Sequence, residues 1–148
     1  MERKAEVLWR GNLQQGQGEV STESGALKKV PYSLMRRFGN EPGTNPEELI
    51  AAAHSSCFAM ALAAALTQQG ITPESLQVNA AVSIEKNGND WVITHSNLAL
   101  RAKIPGIDQN RFNSIAEEAK NNCPVSRLLD TEISLDATLD EGELRAQH

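Results

Sequence analysis

An α+β fold is predicted by three features of the sequence. A long apolar helix has a well-marked start, alternating strand patterns lie on both sides of it, and helices and strands do not alternate regularly as a doubly wound parallel sheet requires. The first third reads as short strands with tight turns: Ala5 to Arg10, a turn at Gly11-Asn12, Gly18 to Thr22, and Pro31 to Arg36. A polar loop from Arg37 to Thr44 leads into Asn45-Pro46-Glu47-Glu48. There Asn45 suits the N-cap, Pro46 the first helical position and Glu48 the third, as in a capping box. The helix is predicted to run to about Gln69, with Gly70 as its left-handed end and Pro73 beyond. Leu76, Val78, Ala80, Val82 and Ile84 then alternate with mostly polar residues, the period of a half-buried strand. Asn87-Gly88 turns the chain into a return strand, Trp91 to Ile104, which ends at Pro105-Gly106. Phe112, Ile115, Ala116 and Ala119 fall on one face of a helix that Asp108 caps. A short helix follows Pro124, Ile133 to Leu139 forms the last strand, and Asp140 to His148 reads as a polar tail. The expectation is one domain, 1–148, with its core at about 5–139, and antiparallel sheets packed on the long helix.

The 148 residues bury an adequate core without staples, and a formal charge of −5 argues against nucleic acid as a partner. Met1 to Arg10 mixes charged and apolar residues, so no secretory leader is read there, and with only two cysteines a cytoplasmic setting is expected. Leu49 to Leu66 has the length of a short membrane span. Its alanine richness and the central His54-Ser55-Ser56 read instead as a helix buried by neighbours, some of them from a second copy. No membrane partner is expected. Gly16-Gln17-Gly18 continues into Glu19-Val20 rather than a helix, so it reads as a turn and not a phosphate loop. His54, His95, His148 and the thiols form no zinc spacing, and no G-x-S-x-G elbow frames Ser55, Ser56 or Ser126. No cofactor and no metal are expected.

The chemistry rests on two cysteines in different settings. Cys57 lies midway along the alanine-rich helix, and Cys123 opens a Cys-Pro-Val-Ser turn at a helix start. They are 66 positions apart and form one redox couple if the fold brings their Cα atoms within about 7 Å. The helix end favours the thiolate at Cys123, whereas apolar surroundings raise the pKa of Cys57, which sits too deep in its own helix for such help. Lowering a thiol from about 8.5 to about 6 takes about 3.4 kcal/mol, and one guanidinium about 4 Å away at an effective dielectric of about 20 supplies about 4 kcal/mol. Arg36 and Arg37 are the local candidates, and Glu48 can hold one in a bidentate pair. Glu48 and Cys57 are nine residues apart, on roughly opposite helix faces with about 13.5 Å of rise between them. If both serve one thiol, Glu48 comes from a partner subunit. His54, three residues before Cys57 on the same face, reads first as a satisfied core histidine and second as an aid to the thiolate.

Gly43-Thr44-Asn45-Pro46-Glu47-Glu48-Leu49, Ala52-Ala53-His54-Ser55-Ser56-Cys57-Phe58 and Cys123-Pro124-Val125-Ser126, in this order, resemble the osmotically inducible protein C family, related to the organic hydroperoxide resistance proteins. Valine in the Cys-Pro-Val-Ser block favours the osmotically inducible branch. The resemblance implies an intertwined α+β homodimer and a thiol-dependent peroxidase that reduces organic hydroperoxides, and hydrogen peroxide more weakly. It further implies that Cys57 is the peroxidatic cysteine and Cys123 the resolving cysteine. Arg37 then activates the thiolate, Glu48 is its carboxylate partner, and a lipoyl-type dithiol is the reductant. The principal alternative is a non-catalytic carrier of hydrophobic ligands on the same fold. A general disulfide oxidoreductase is disfavoured because Cys-x-x-Cys is absent.

Overall fold

Alternating side chains and tight turns build the first sheet. In the computed structural model, which describes residues 1–140, β1 (Ala5–Arg10), β2 (Gln17–Thr22) and β3 (Val30–Tyr32) form an antiparallel sheet in chain order. Trp9 and Tyr32 both stand opposite Gly18, with their ring centroids 5.5 Å apart. A Cβ on Gly18 would fall on the Tyr32 ring, so the second glycine of the G-x-G makes room for two aromatics.

The strand expected over Pro31 to Arg36 is shorter than the sequence suggested. It stops at Tyr32, because the Ser33 hydroxyl accepts the Arg36 N–H at 3.3 Å and starts α1 (Leu34–Phe38). The helix start at Asn45 is as expected: its side chain accepts the Glu48 N–H at 2.8 Å, and α2 spans Pro46–Gln68. The Glu48 carboxylate does not close a reciprocal box; it accepts the Thr44 hydroxyl at 2.9 Å.

The chain divides into two compact units, Met1–Leu49 and the chain from Ile50 onward. In the second, β4 (Ser75–Asn87) and β5 (Asp90–Lys103) pair antiparallel around a two-residue turn at Gly88-Asn89, one residue later than expected. α3 (Gln109–Asn122) begins at Asp108, whose side chain accepts the Arg111 N–H at 2.8 Å, and buries Phe112, Ile115, Ala116 and Ala119. α4 (Pro124–Leu128) follows, and β6 (Glu132–Leu139) completes the sheet. The order is β4-β5-β6, but β6 runs parallel to β5. This sheet is therefore mixed rather than antiparallel, because the α3–α4 crossover returns the chain in its original direction. The core joins Phe58, Leu62 and Leu66 of α2 to Leu98, Leu100 and Ala102 of β5 and to the buried face of α3. Residues 141–148, most of the expected polar tail, lie outside the described residues.

Candidate active site

Proline sets the position of the second thiol. A residue before proline is driven to extended backbone, and Cys123 has φ −58° and ψ 124°. It ends α3, with its N–H donated to Ala119 C=O at 2.9 Å, and begins α4, with its carbonyl accepting the Arg127 N–H at 3.0 Å. Cys123 is fully buried in the core, and Cys57, half-buried on α2, packs against the same core. Both thiols are free and lie within hydrogen-bonding reach of each other.

Burial pushes the Cys57 thiol above the ordinary range, the Val125 N–H on its sulfur pulls it back, and the neighbouring Cys123 thiol adds a lesser upward push. The expectation that Cys57 lies beyond the help of a helix end is therefore corrected. Val125 stands in the first turn of α4, where backbone N–H groups have no partner inside the helix, and its N–H meets the Cys57 sulfur. Cys57 gains from a helix start that is not its own. The sequence marked the helix start but not the sulfur it would face.

His54, one turn before Cys57, is fully buried. Its Nδ1 is hydrogen-bonded to Ser96 Oγ of β5 at 2.7 Å and its Nε2 to Ser126 Oγ of α4 at 2.8 Å. Burial lowers its pKa, so the imidazole is held neutral, and two hydroxyls satisfy either tautomer. No hydrolase motif frames Ser126 in the sequence, so spacing alone does not mark it as the partner of His54.

In the first unit, Arg37 Nη2 donates to Glu47 Oε1 at 2.6 Å, and its Nε lies 3.1 and 3.2 Å from the two oxygens of the same carboxylate. The guanidinium also lies 5.2 Å from the Phe38 ring centroid. This corrects the choice of Glu48: within the chain, the carboxylate that holds Arg37 is Glu47. Glu47 is buried, whereas Glu48 is exposed and turned to Thr44. Successive helix residues point about 100° apart, so only one of the two meets the incoming loop. Arg36 is spent elsewhere. Its Nε donates to Pro42 C=O at 2.7 Å and its Nη1 to Gln17 Oε1 at 2.8 Å, which fixes the loop before α2. Among the described residues no group of three or more His, Cys, Asp or Glu side chains is gathered for a metal.

The family model described as OsmC-like protein matches residues 39–138. The chain is 46% identical over 137 residues to the peroxiredoxin OsmC of Escherichia coli, covering 93% of this chain and 96% of that one. It is 30% identical over 103 residues to the organic hydroperoxide resistance protein OhrA of Bacillus subtilis, covering 70% of each. Among solved structures it superposes on an organic hydroperoxide resistance protein OsmC of Legionella pneumophila with a TM-score of 0.70 at 26% identity, covering 92% of this chain and 97% of that one. An OsmC-like protein of Vibrio cholerae superposes with a TM-score of 0.75 at 21% identity over 93% of this chain and 99% of that one, a likeness of fold alone. The family model spans more than half of the chain, and the Escherichia coli relative aligns along nearly all of it, so this chain belongs to the OsmC-like protein family.

Proposed function

We propose that the protein is a cytoplasmic thiol peroxidase that reduces organic hydroperoxides, and hydrogen peroxide more weakly, working as a homodimer. One observation carries the reading: two free thiols, one on α2 and one at the α3–α4 junction, lie within hydrogen-bonding reach, with a helix-start N–H on the first. The names of the Escherichia coli and Bacillus subtilis relatives support it.

In the proposed cycle the Cys57 thiolate attacks one peroxide oxygen and the O–O bond breaks. The sulfur becomes a sulfenic acid, and the other oxygen leaves as an alcohol once it takes a proton. The Cys123 thiol then condenses with the sulfenic acid, forming a disulfide and releasing water. An external dithiol, of the lipoyl type in this reading, gives two electrons and two protons to regenerate both thiols and is itself oxidised to a disulfide. Arg37, oriented by Glu47, is assigned the positive charge that offsets the burial of Cys57. The apolar residues around Cys57 support a preference for organic peroxides.

The test is consumption of cumene hydroperoxide with dihydrolipoamide as reductant. Wild type is expected to turn over and Cys57→Ser to lose activity at least a thousandfold. Cys123→Ser is expected to complete one peroxide reduction without forming the internal disulfide. Wild-type turnover in Cys57→Ser would remove the proposed nucleophile. Tight binding of an apolar ligand without peroxide consumption would favour the carrier reading instead.

A further inference from the structure

The peroxidase cycle leaves His54 without a task, yet it is a fully buried titratable side chain one helical turn from the nucleophile. Its two hydrogen bonds point in different directions, Nδ1 to Ser96 on β5 and Nε2 to Ser126 on α4. The α4 end is the informative one. A helix of five residues does not hold itself together, and α4 has no side-chain cap from Cys123 and no fully buried residue of its own. Apart from its short turn, with Arg127 N–H on Cys123 C=O and Leu129 N–H on Val125 C=O, its described hydrogen bonds to α2 are the Val125 N–H on the Cys57 sulfur and the side-chain hydrogen bond between Ser126 and His54.

Cys123, Val125 and Ser126 all belong to this turn. Cys123 supplies the second thiol, Val125 supplies the N–H on the Cys57 sulfur, and Ser126 supplies the link to His54. Cys57 and His54 lie on the same face of α2, three residues apart. The face that carries the nucleophile therefore also grips the segment that must answer it.

We propose that His54 is a positioning residue for the thiol pair: through Ser126 it holds the first turn of α4 so that the Val125 N–H stays on the Cys57 sulfur and Cys123 stays beside it. This rests on the peroxidase reading for its consequence, since condensation of the Cys57 sulfenic acid with the Cys123 thiol, which forms S–S and releases water, requires the two sulfurs to remain adjacent. A sulfenic acid that waits for its partner is exposed to a second peroxide and passes to sulfinic acid. Among the described residues of one chain, the groups that act on Cys57 are its burial, the Val125 N–H and the Cys123 thiol, so slackening α4 removes the influence within that chain that favours its thiolate.

The experiment compares Ser126→Ala, Ser126→Thr, His54→Asn, His54→Gln and Ser96→Ala with wild type, all as full chains. One readout is the rate of iodoacetamide alkylation at Cys57, resolved by peptide mass spectrometry across pH. The other is the ratio of disulfide to sulfinic acid after a pulse of cumene hydroperoxide. Gln places its amide nitrogen near the Nε2 position and Asn near Nδ1, so only Gln keeps a group on Ser126. Ser126→Ala and His54→Asn are expected to alkylate about tenfold more slowly at pH 7 and to give severalfold more sulfinic acid. Ser126→Thr, His54→Gln and Ser96→Ala are expected within about twofold of wild type, although Ser96→Ala also removes a buried hydrogen bond. Equal effects of Ser126→Ala and Ser96→Ala on both readouts would overturn the proposal and leave His54 a structural residue. If wild type itself forms no disulfide with peroxide, the peroxidase reading fails, while the alkylation profile still decides whether His54 positions α4.

Discussion

At the scale of single residues, Arg37 takes its charge partner from the first turn of α2. Glu47 and Glu48 are adjacent acidic residues in the first turn of α2, and the capping pattern by itself points to Glu48. Which of them meets the loop carrying Arg37 depends on how that loop is folded by Arg36, Pro42 and Gln17, and the spacing of residues does not encode this. His54 read as a satisfied core histidine, and its neutral, doubly bonded state agrees with that. Its burial has a consequence for stability. An unfolded histidine takes a proton as pH falls through about 6.5, whereas buried His54 resists it, so between that value and its lower folded value the unfolded state binds more protons. The contribution is fully present above about pH 6.5 and declines below it, by at most about 1.4 kcal/mol per pH unit for one proton. Urea denaturation at pH 7.5 and pH 5 is expected to show a larger loss for wild type than for His54→Gln. Parallel losses in the two proteins would contradict this assignment.

Elements were the most legible scale, because each depends on local chemistry. The start of α2 at Asn45 and its end at Gly70 both read directly from the sequence. At the end, Gly70 has φ +72°, its N–H meets Thr67 C=O at 3.0 Å, and the Ile71 N–H meets Leu66 C=O at 2.9 Å. Nothing lies within 4 Å of where a Cβ on Gly70 would stand, so the cost of a side chain there is conformational alone. Gly70→Ala is expected to destabilise the protein by about 1 kcal/mol, and Gly70→Asn by less, because asparagine tolerates the left-handed region. An unchanged melting temperature in Gly70→Ala would show that the helix end relaxes to another cap. The two misread elements failed for a different reason. A run of alternating residues from Pro31 ended early because one serine hydroxyl captured a backbone N–H. The last strand was recognised as a strand, but its direction depends on the crossover through α3 and α4, and strand pattern is blind to direction.

On the scale of the whole molecule, the least legible feature is what covers α2. By length and composition this helix is apolar enough to cross a membrane, yet only 22% of its most apolar stretch is buried within one chain. Ala52, Ser56, Met60 and Ala64, each four residues from the next, are exposed, Met60 at 77%. A stripe of small and apolar side chains suits close packing of a second copy, and this supports the homodimer proposed above. Helix arithmetic gives that dimer a further purpose. Ten residues separate Glu47 from Cys57, about 15 Å of rise along one helix, which argues that the Arg37–Glu47 pair of one subunit serves the Cys57 of the other. The expectation is tested with two inactive variants, Cys57→Ser and Arg37→Ala, carrying different affinity tags and co-expressed so that the heterodimer is isolated by sequential purification. In a shared arrangement, one site of the heterodimer joins an intact Cys57 to an intact Arg37, and turnover per dimer is expected at about half of the wild-type value. Were each subunit to carry its own complete site, both sites of the heterodimer would be broken, and turnover at the level of the parent variants would refute sharing between subunits.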